Sequence, residues 1–128
     1  MKIYFVGIHN KPGMQPLDSR TWSGKVIDLV IAELGAAAVC VKTNLIDKDY
    51  MPELALTEGK KWHTRNTVQP GDIVVLLGGS TYINFAKHLL PENVPVVTAL
   101  HPASFAVRRD RAEYVQKLVK SIQNVRCA

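Results

Sequence analysis

Asp72-Ile73-Val74-Val75-Leu76-Leu77-Gly78-Gly79-Ser80 is the stretch on which the fold turns. Five apolar residues in a row, three of them β-branched, are too few for an ordinary helix and show no alternation. That combination predicts a strand buried on both faces. The Pro70-Gly71 turn ahead of it and the glycine pair behind it set its limits.

Working outward, residues 2–8, 37–42 and 94–100 have the same apolar, β-rich character and predict three further strands. The segments between them change period. Val26, Ile27, Val30, Ile31 and Leu34 keep the spacing of one helical face, with Ser23 placed to cap the helix and Gly35 to stop it. Residues 53–66 read as a polar helix and residues 80–90 as a short one. Tyr114, Val115, Leu118, Val119 and Ile122 form the face of a last helix. The order is βαβαβαβα. Uniformly apolar strands alternating with helices predict an α/β fold, a three-layer αβα sandwich on a parallel sheet, because right-handed crossovers lay helices over both faces. Ligands of such sheets bind beyond the carboxyl ends of the strands. The polar residues collect there: His9 to Trp22, Thr43 to Pro52, Gly78 to Thr81 and His101 to Arg109.

The 128 residues suit one domain over 1–128, and 47% hydrophobic with 21% charged residues is the balance of a soluble globular protein. No apolar run approaches a membrane span and no leader pattern opens the chain, so a cytoplasmic location is expected. Two cysteines exclude a cysteine-built zinc or iron–sulphur site, and Cys40, inside an apolar run, reads as a small buried hydrophobe. Sixteen Lys and Arg against eleven Asp and Glu give +5, an excess that favours polyanionic partners without requiring one. It is concentrated near the C-terminus in Arg108, Arg109, Arg111, Lys117, Lys120 and Arg126. The later lysines read equally well as a solvated helix face.

No nucleotide cofactor is expected, since the loop Gly7-Ile8-His9-Asn10-Lys11-Pro12-Gly13 has neither the Walker spacing nor the GxGxxG fingerprint. Asn10 alone reads as a turn residue, and His101-Pro102 alone as the start of a helix. Their company gives them weight. Asn44 places an amide, donor and acceptor side by side, at the end of the second strand, which suits the polar edge of a base. Trp22 offers a flat surface for stacking.

The ordered segments FVGIHNKPG, RTWSGKVIDLVI, VKTNLIDKDYMP, DIVVLLGGSTYINF and VVTALHPASFAVRRDRAEYVQKLV together resemble the uracil-DNA glycosylase superfamily, especially its compact branch that usually carries an iron–sulphur cluster. The resemblance covers nearly the whole chain. It implies a sheet of order 2-1-3-4 and roles for particular residues. His101 would steady charge on the departing base and Asn10 would position water, while Asn44 and Trp22 would hold the base. Phe105 would fill the gap left by a flipped nucleotide, with Ser104, Arg108 and Arg109 beside it on the DNA and Gly78, Gly79 and Ser80 giving a loop that approaches the backbone. The implied activity is base excision from DNA without cofactor or metal, by a monomer.

The chain departs from the family pattern at three places. No carboxylate precedes Pro12, a tryptophan stands where the family usually has Phe, and the cluster cysteines are absent. Asp18, the nearest acid downstream, reads as a solvated loop residue. The missing acid leaves open a second reading, a nucleic-acid or nucleobase-binding module of the same fold. A third, an unrelated doubly wound protein binding a phosphorylated ligand, leaves the ordered motifs unexplained.

Overall fold

The computed structural model describes residues 1–7, 13–36, 38–44, 68–79, 90 and 94–126. The helices expected at residues 53–66 and 80–90, together with Asn10 and Ser80, lie outside the described residues. Four strands are seen, β1 (Lys2–Gly7), β2 (Val39–Asn44), β3 (Ile73–Leu77) and β4 (Val96–Ala99), with three helices, α1 (Trp22–Leu34), α2 (Phe105–Arg109) and α3 (Arg111–Arg126). The strands form one sheet in the order β2-β1-β3-β4, and each neighbouring pair is parallel. This is the order and polarity expected.

The central strands β1 and β3 are buried along both faces, as their unbroken apolar sequences require. Because side chains alternate across a strand, Ile3, Phe5, Ile73, Val75 and Leu77 face one side and Tyr4, Val6, Val74 and Leu76 the other. On the first side they meet Val26, Ile27, Val30 and Leu34 of α1 and Val115, Leu118, Val119 and Ile122 of α3. Both helices therefore lie over the same face, with the stripes their periodicity marks turned inward. Burying each such side chain contributes about 2 kcal/mol. Truncating Phe5 or Ile27, both fully buried, would cost on the order of 3–5 kcal/mol. The second face packs with Leu90 and the half-buried Val41, Val68, Val94 and Val96. Among the described residues the architecture is a sheet with one helical layer, and the second helical layer expected from sequence falls outside them.

Two local readings change, at the start of α1 and in the bounds of the second strand. The cap of α1 is Thr21, not Ser23: its hydroxyl donates to the Asp18 carbonyl at 2.7 Å and accepts the Gly24 amide at 3.0 Å. The loop crosses the helix so closely that a Cβ on Gly24 would stand 1.9 Å from that same carbonyl oxygen. The second strand begins at Val39 and runs on to Asn44, because its pairing with β1 continues to Gly7. The segment after β4 turns into the short helix α2. Gly35 does stop α1, with φ 77° and its amide on the Ile31 carbonyl.

The amino edge of the sheet is tied by Asp72, a buried acid whose carboxylate accepts the amides of Lys2 and Gln69, each at 2.8 Å. Burial alone would push this carboxyl up. The two amide hydrogen bonds, with the N-terminal and Lys2 charges, outweigh it and hold the group below the usual range. Among the described residues no helix is long and apolar enough to cross a membrane.

Candidate functional site

The carboxyl ends of the four strands line up along one edge. Gly7 is paired with Asn44, Leu77 with Ala99, and the Gly78 amide donates to the Ala99 carbonyl at 3.0 Å. Across the edge the chain therefore presents Asn44, Gly7, Gly78 and, just past β4, His101. The outer strands that carry the two polar side chains are three strand spacings apart, about 14 Å. Between them buried Gly7 ends β1 and buried Gly78 follows β3, and the side chains of Asn44 and Leu17 pack over Gly7. The amide of Asn44, 6% exposed, leans over Gly7: a Cβ there would lie 2.6 Å from Asn44 Oδ1. Gly7 thus makes room for the amide that its neighbouring strand supplies.

His101 sits on a turn held from two sides. Tyr114 of α3 donates its hydroxyl to the Leu100 carbonyl at 2.7 Å, and the Trp22 indole N–H donates to the Pro102 carbonyl at 3.0 Å. Inside the turn the Ser104 amide donates to the His101 carbonyl at 2.9 Å, and the Ala103 amide to His101 Nδ1 at 3.1 Å. With Nδ1 acting as acceptor, the neutral imidazole carries its proton on Nε2 and presents that nitrogen as a donor. Burial pushes the Tyr114 hydroxyl well above its ordinary pKa, so it keeps its proton and its bond throughout the neutral range.

Beyond the turn Phe105 opens α2 and is 76% exposed, an unusual amount for a large aromatic side chain. Arg108 and Arg109, one helical turn on, are exposed too. Ser104 occupies the cap position of α2, yet its hydroxyl makes no cap bond and its oxygen is buried without a partner among the described residues. Trp22 carries two guanidinium groups, with the Arg108 and Arg111 Cζ atoms 5.4 and 5.6 Å from the ring centroid. Its ring was read from sequence as a platform for a base. A base stacking on the face that holds a guanidinium would have to displace it.

The structure also accounts for the acid that sequence reading left in solvent. Asp18 is the hub of the loop before α1: its side chain is 9% exposed and accepts the amides of Gln15 at 3.1 Å and Arg20 at 2.9 Å. The Arg20 guanidinium adds two further bonds, at 3.0 and 2.7 Å. These side-chain and amide bonds hold the carboxyl far below the usual range. An acceptor so fully committed is a poor base for activating water. Nearby, Lys42 of β2 reaches Asp28 of α1 and Ser19 of the loop, fastening strand, helix and loop together.

The structure thus gathers His101, Trp22, Ser104, Phe105, Arg108 and Arg109 around one turn, and sets Asn44, Gly78 and the exposed Gly79 along the same edge. Asn10 and Ser80 are not described. Tyr114 and Arg111 were missed as contributors to the site, Tyr114 because its sequence position marks it simply as part of a helix face. Among the described residues no three His, Cys, Asp or Glu side chains could hold a metal. A groove of about 650 Å³ between α1 and α3, lined by Leu29, Ala32, Val115 and Val119 among others, reaches the site at Arg111.

These features define an α/β protein with a four-stranded parallel sheet and polar side chains at its carboxyl edge. Compared with protein-family models, curated proteins and solved structures, the chain matches none.

Proposed function

We propose that the chain is a compact glycosylase of the uracil-DNA glycosylase type, hydrolysing the bond between deoxyribose and uracil or a related deaminated or modified base in DNA. The observation that carries this reading is Phe105: an aromatic ring 76% exposed, directly after a turn fixed by two side-chain hydrogen bonds, with exposed arginines one helical turn away. An apolar ring presented to water beside cations fits a wedge that enters a base stack while its neighbours hold phosphates.

In this reading the flipped base docks at the carboxyl edge of the sheet and its polar edge meets the Asn44 amide. The bond from C1′ to the base nitrogen breaks with its electron pair leaving on the base. The His101 Nε2–H donates to the carbonyl oxygen where that negative charge collects. Water, positioned by Asn10, adds to the oxocarbenium-like sugar carbon, and the proton it loses passes through solvent to the departed base anion, leaving a C1′ hydroxyl and the neutral base. Trp22 acts from behind, holding the Pro102 carbonyl and two arginines. Stabilising developing charge matters more in such a dissociative cleavage than deprotonating water, so a site without a carboxylate base reacts slowly rather than not at all.

One observation favours a second reading, a binding module that keeps the polar edge without the reaction: Asp18, the nearest acid to the first motif, is consumed by Arg20. A panel of labelled oligonucleotides separates the two. Duplexes and single strands with uracil, hydroxymethyluracil, hypoxanthine, or thymine opposite guanine are incubated with protein and treated with alkali. Strand cleavage at one or more of these bases is expected. Intact strands throughout, with plain DNA still bound, would leave the binding module in place of the enzyme.

A further inference from the structure

Several cations of the described residues are matched with acids: Arg20 with Asp18, Lys42 with Asp28 and Lys117 with Glu113. Arg108 and Arg111 are not; among the described residues neither has a carboxylate partner. The acids closest to them in sequence are otherwise engaged, since Asp110 accepts the Glu113 amide at 3.0 Å and Glu113 pairs with Lys117. Both guanidinium groups instead stand within 6 Å of one ring centroid, that of Trp22. The ring is itself fixed by its bond to Pro102 and by its place at the start of α1.

We propose that Arg108 and Arg111, held on Trp22, form a clamp for one phosphodiester of a nucleic-acid backbone. The two Cζ atoms, 5.4 and 5.6 Å from one centroid, stand no farther apart than the sum of those distances, so their like charges repel each other, and the attraction of each to the ring offsets that only in part. An anion bridging them removes the repulsion. A guanidinium lying on an indole keeps its N–H edges available, and those edges match the paired oxygens of a phosphate. Arg108 directs Nε at the Ala103 carbonyl, 3.4 Å away, which orients its other nitrogens. The ring that seats the clamp also holds the His101-Pro102 turn, so the captured phosphate is registered against Phe105 and His101. Lysine at either position would supply charge without the stacking plane. The inference rests on the nucleic-acid half of the proposed function and not on base excision.

The test is binding of an undamaged fluorescein-labelled duplex across a salt series, measured by anisotropy. Arg111→Gln and Arg108→Gln should each weaken binding about tenfold at low salt and reduce the slope of log affinity against log salt by about 1, for any sequence. Trp22→Leu should weaken binding although both arginines remain, and a thermal melt checks that this variant is folded. If it is not, Arg111→Gln decides alone. In a Trp62→Phe background the remaining tryptophan fluorescence should change when duplex is added. An unchanged salt slope in Arg111→Gln overturns the clamp, as does a fluorescence response to inorganic phosphate that duplex DNA does not produce. A protein that binds through the clamp but excises no base refutes only the glycosylase reading, and one that excises with unaltered slopes refutes only the clamp.

Discussion

At His101 one hydrogen bond decides which nitrogen can act. The Ala103 amide on Nδ1 puts the proton of the neutral ring on Nε2, and the carbonyls on either side of the ring, those of Leu100 and Pro102, are held by Tyr114 and Trp22. Tyr114 is therefore a positioning residue in the proposed mechanism. Tyr114→Phe removes one bond and little volume, so unfolding in urea should show a loss of about 0.5–1.5 kcal/mol. Duplex affinity should stay unchanged while single-turnover excision falls, and the imidazole ¹⁵N shifts of His101 should lose the signature of a single tautomer. Unaltered shifts would remove Tyr114 from the mechanism. At this scale the sequence was half legible. His101, Asn44 and Phe105 stood out because polar or aromatic residues at strand ends have no packing reason to be there. Trp22 was legible as a flat aromatic surface but its contacts were not, since its partners Pro102, Arg108 and Arg111 lie some eighty residues away and no local pattern links them.

Among the elements, α1 shows where periodicity succeeds and where it stops. Its inward face follows from spacing alone, and Gly35 ends it as a left-handed stop should. Its start does not follow, because Thr21 and Ser23 are both competent caps. Thr21 is selected by a bond to the Asp18 carbonyl, which depends on the whole loop from Gly13 to Thr21 closing on Asp18. The second strand was placed two residues early for a similar reason: its end is set by pairing with Gly7 across the sheet and not by its own residues. The loop also gives a pH dependence with a definite sign. The Asp18 carboxyl is held below its usual 3.8 in the folded protein, so as pH falls the unfolded chain takes up the proton first. The contribution of Asp18 to stability should be intact above about pH 4, near the ordinary carboxylate value, and be lost progressively below it. Urea midpoints of wild type and Asp18→Asn should accordingly differ most at pH 6, with the gap narrowing below about pH 4 and still partly present at pH 3, where the folded carboxyl remains ionised. A gap that does not narrow at all between pH 6 and pH 3 would mean the side chain acts by packing and not by charge.

For the molecule as a whole, the parallel sheet was legible because four uniformly apolar runs alternating with amphipathic segments admit few other arrangements, while its order β2-β1-β3-β4 was what the resemblance implied. The sheet puts Asn44 and His101 on its outer strands at one edge with glycines between them, and it leaves the structural acid Asp72 at the other edge. The central claim is that this carboxyl edge breaks a glycosidic bond by stabilising charge on the leaving base. It is tested most directly by single-turnover excision from a uracil-containing duplex, with wild type and His101→Ala compared under saturating protein. The account predicts measurable excision by wild type and a rate lower by roughly a hundredfold or more in His101→Ala, the scale set by removing one such donor, with duplex affinity little changed. Equal rates for the two proteins, or no excision by wild type, would contradict it.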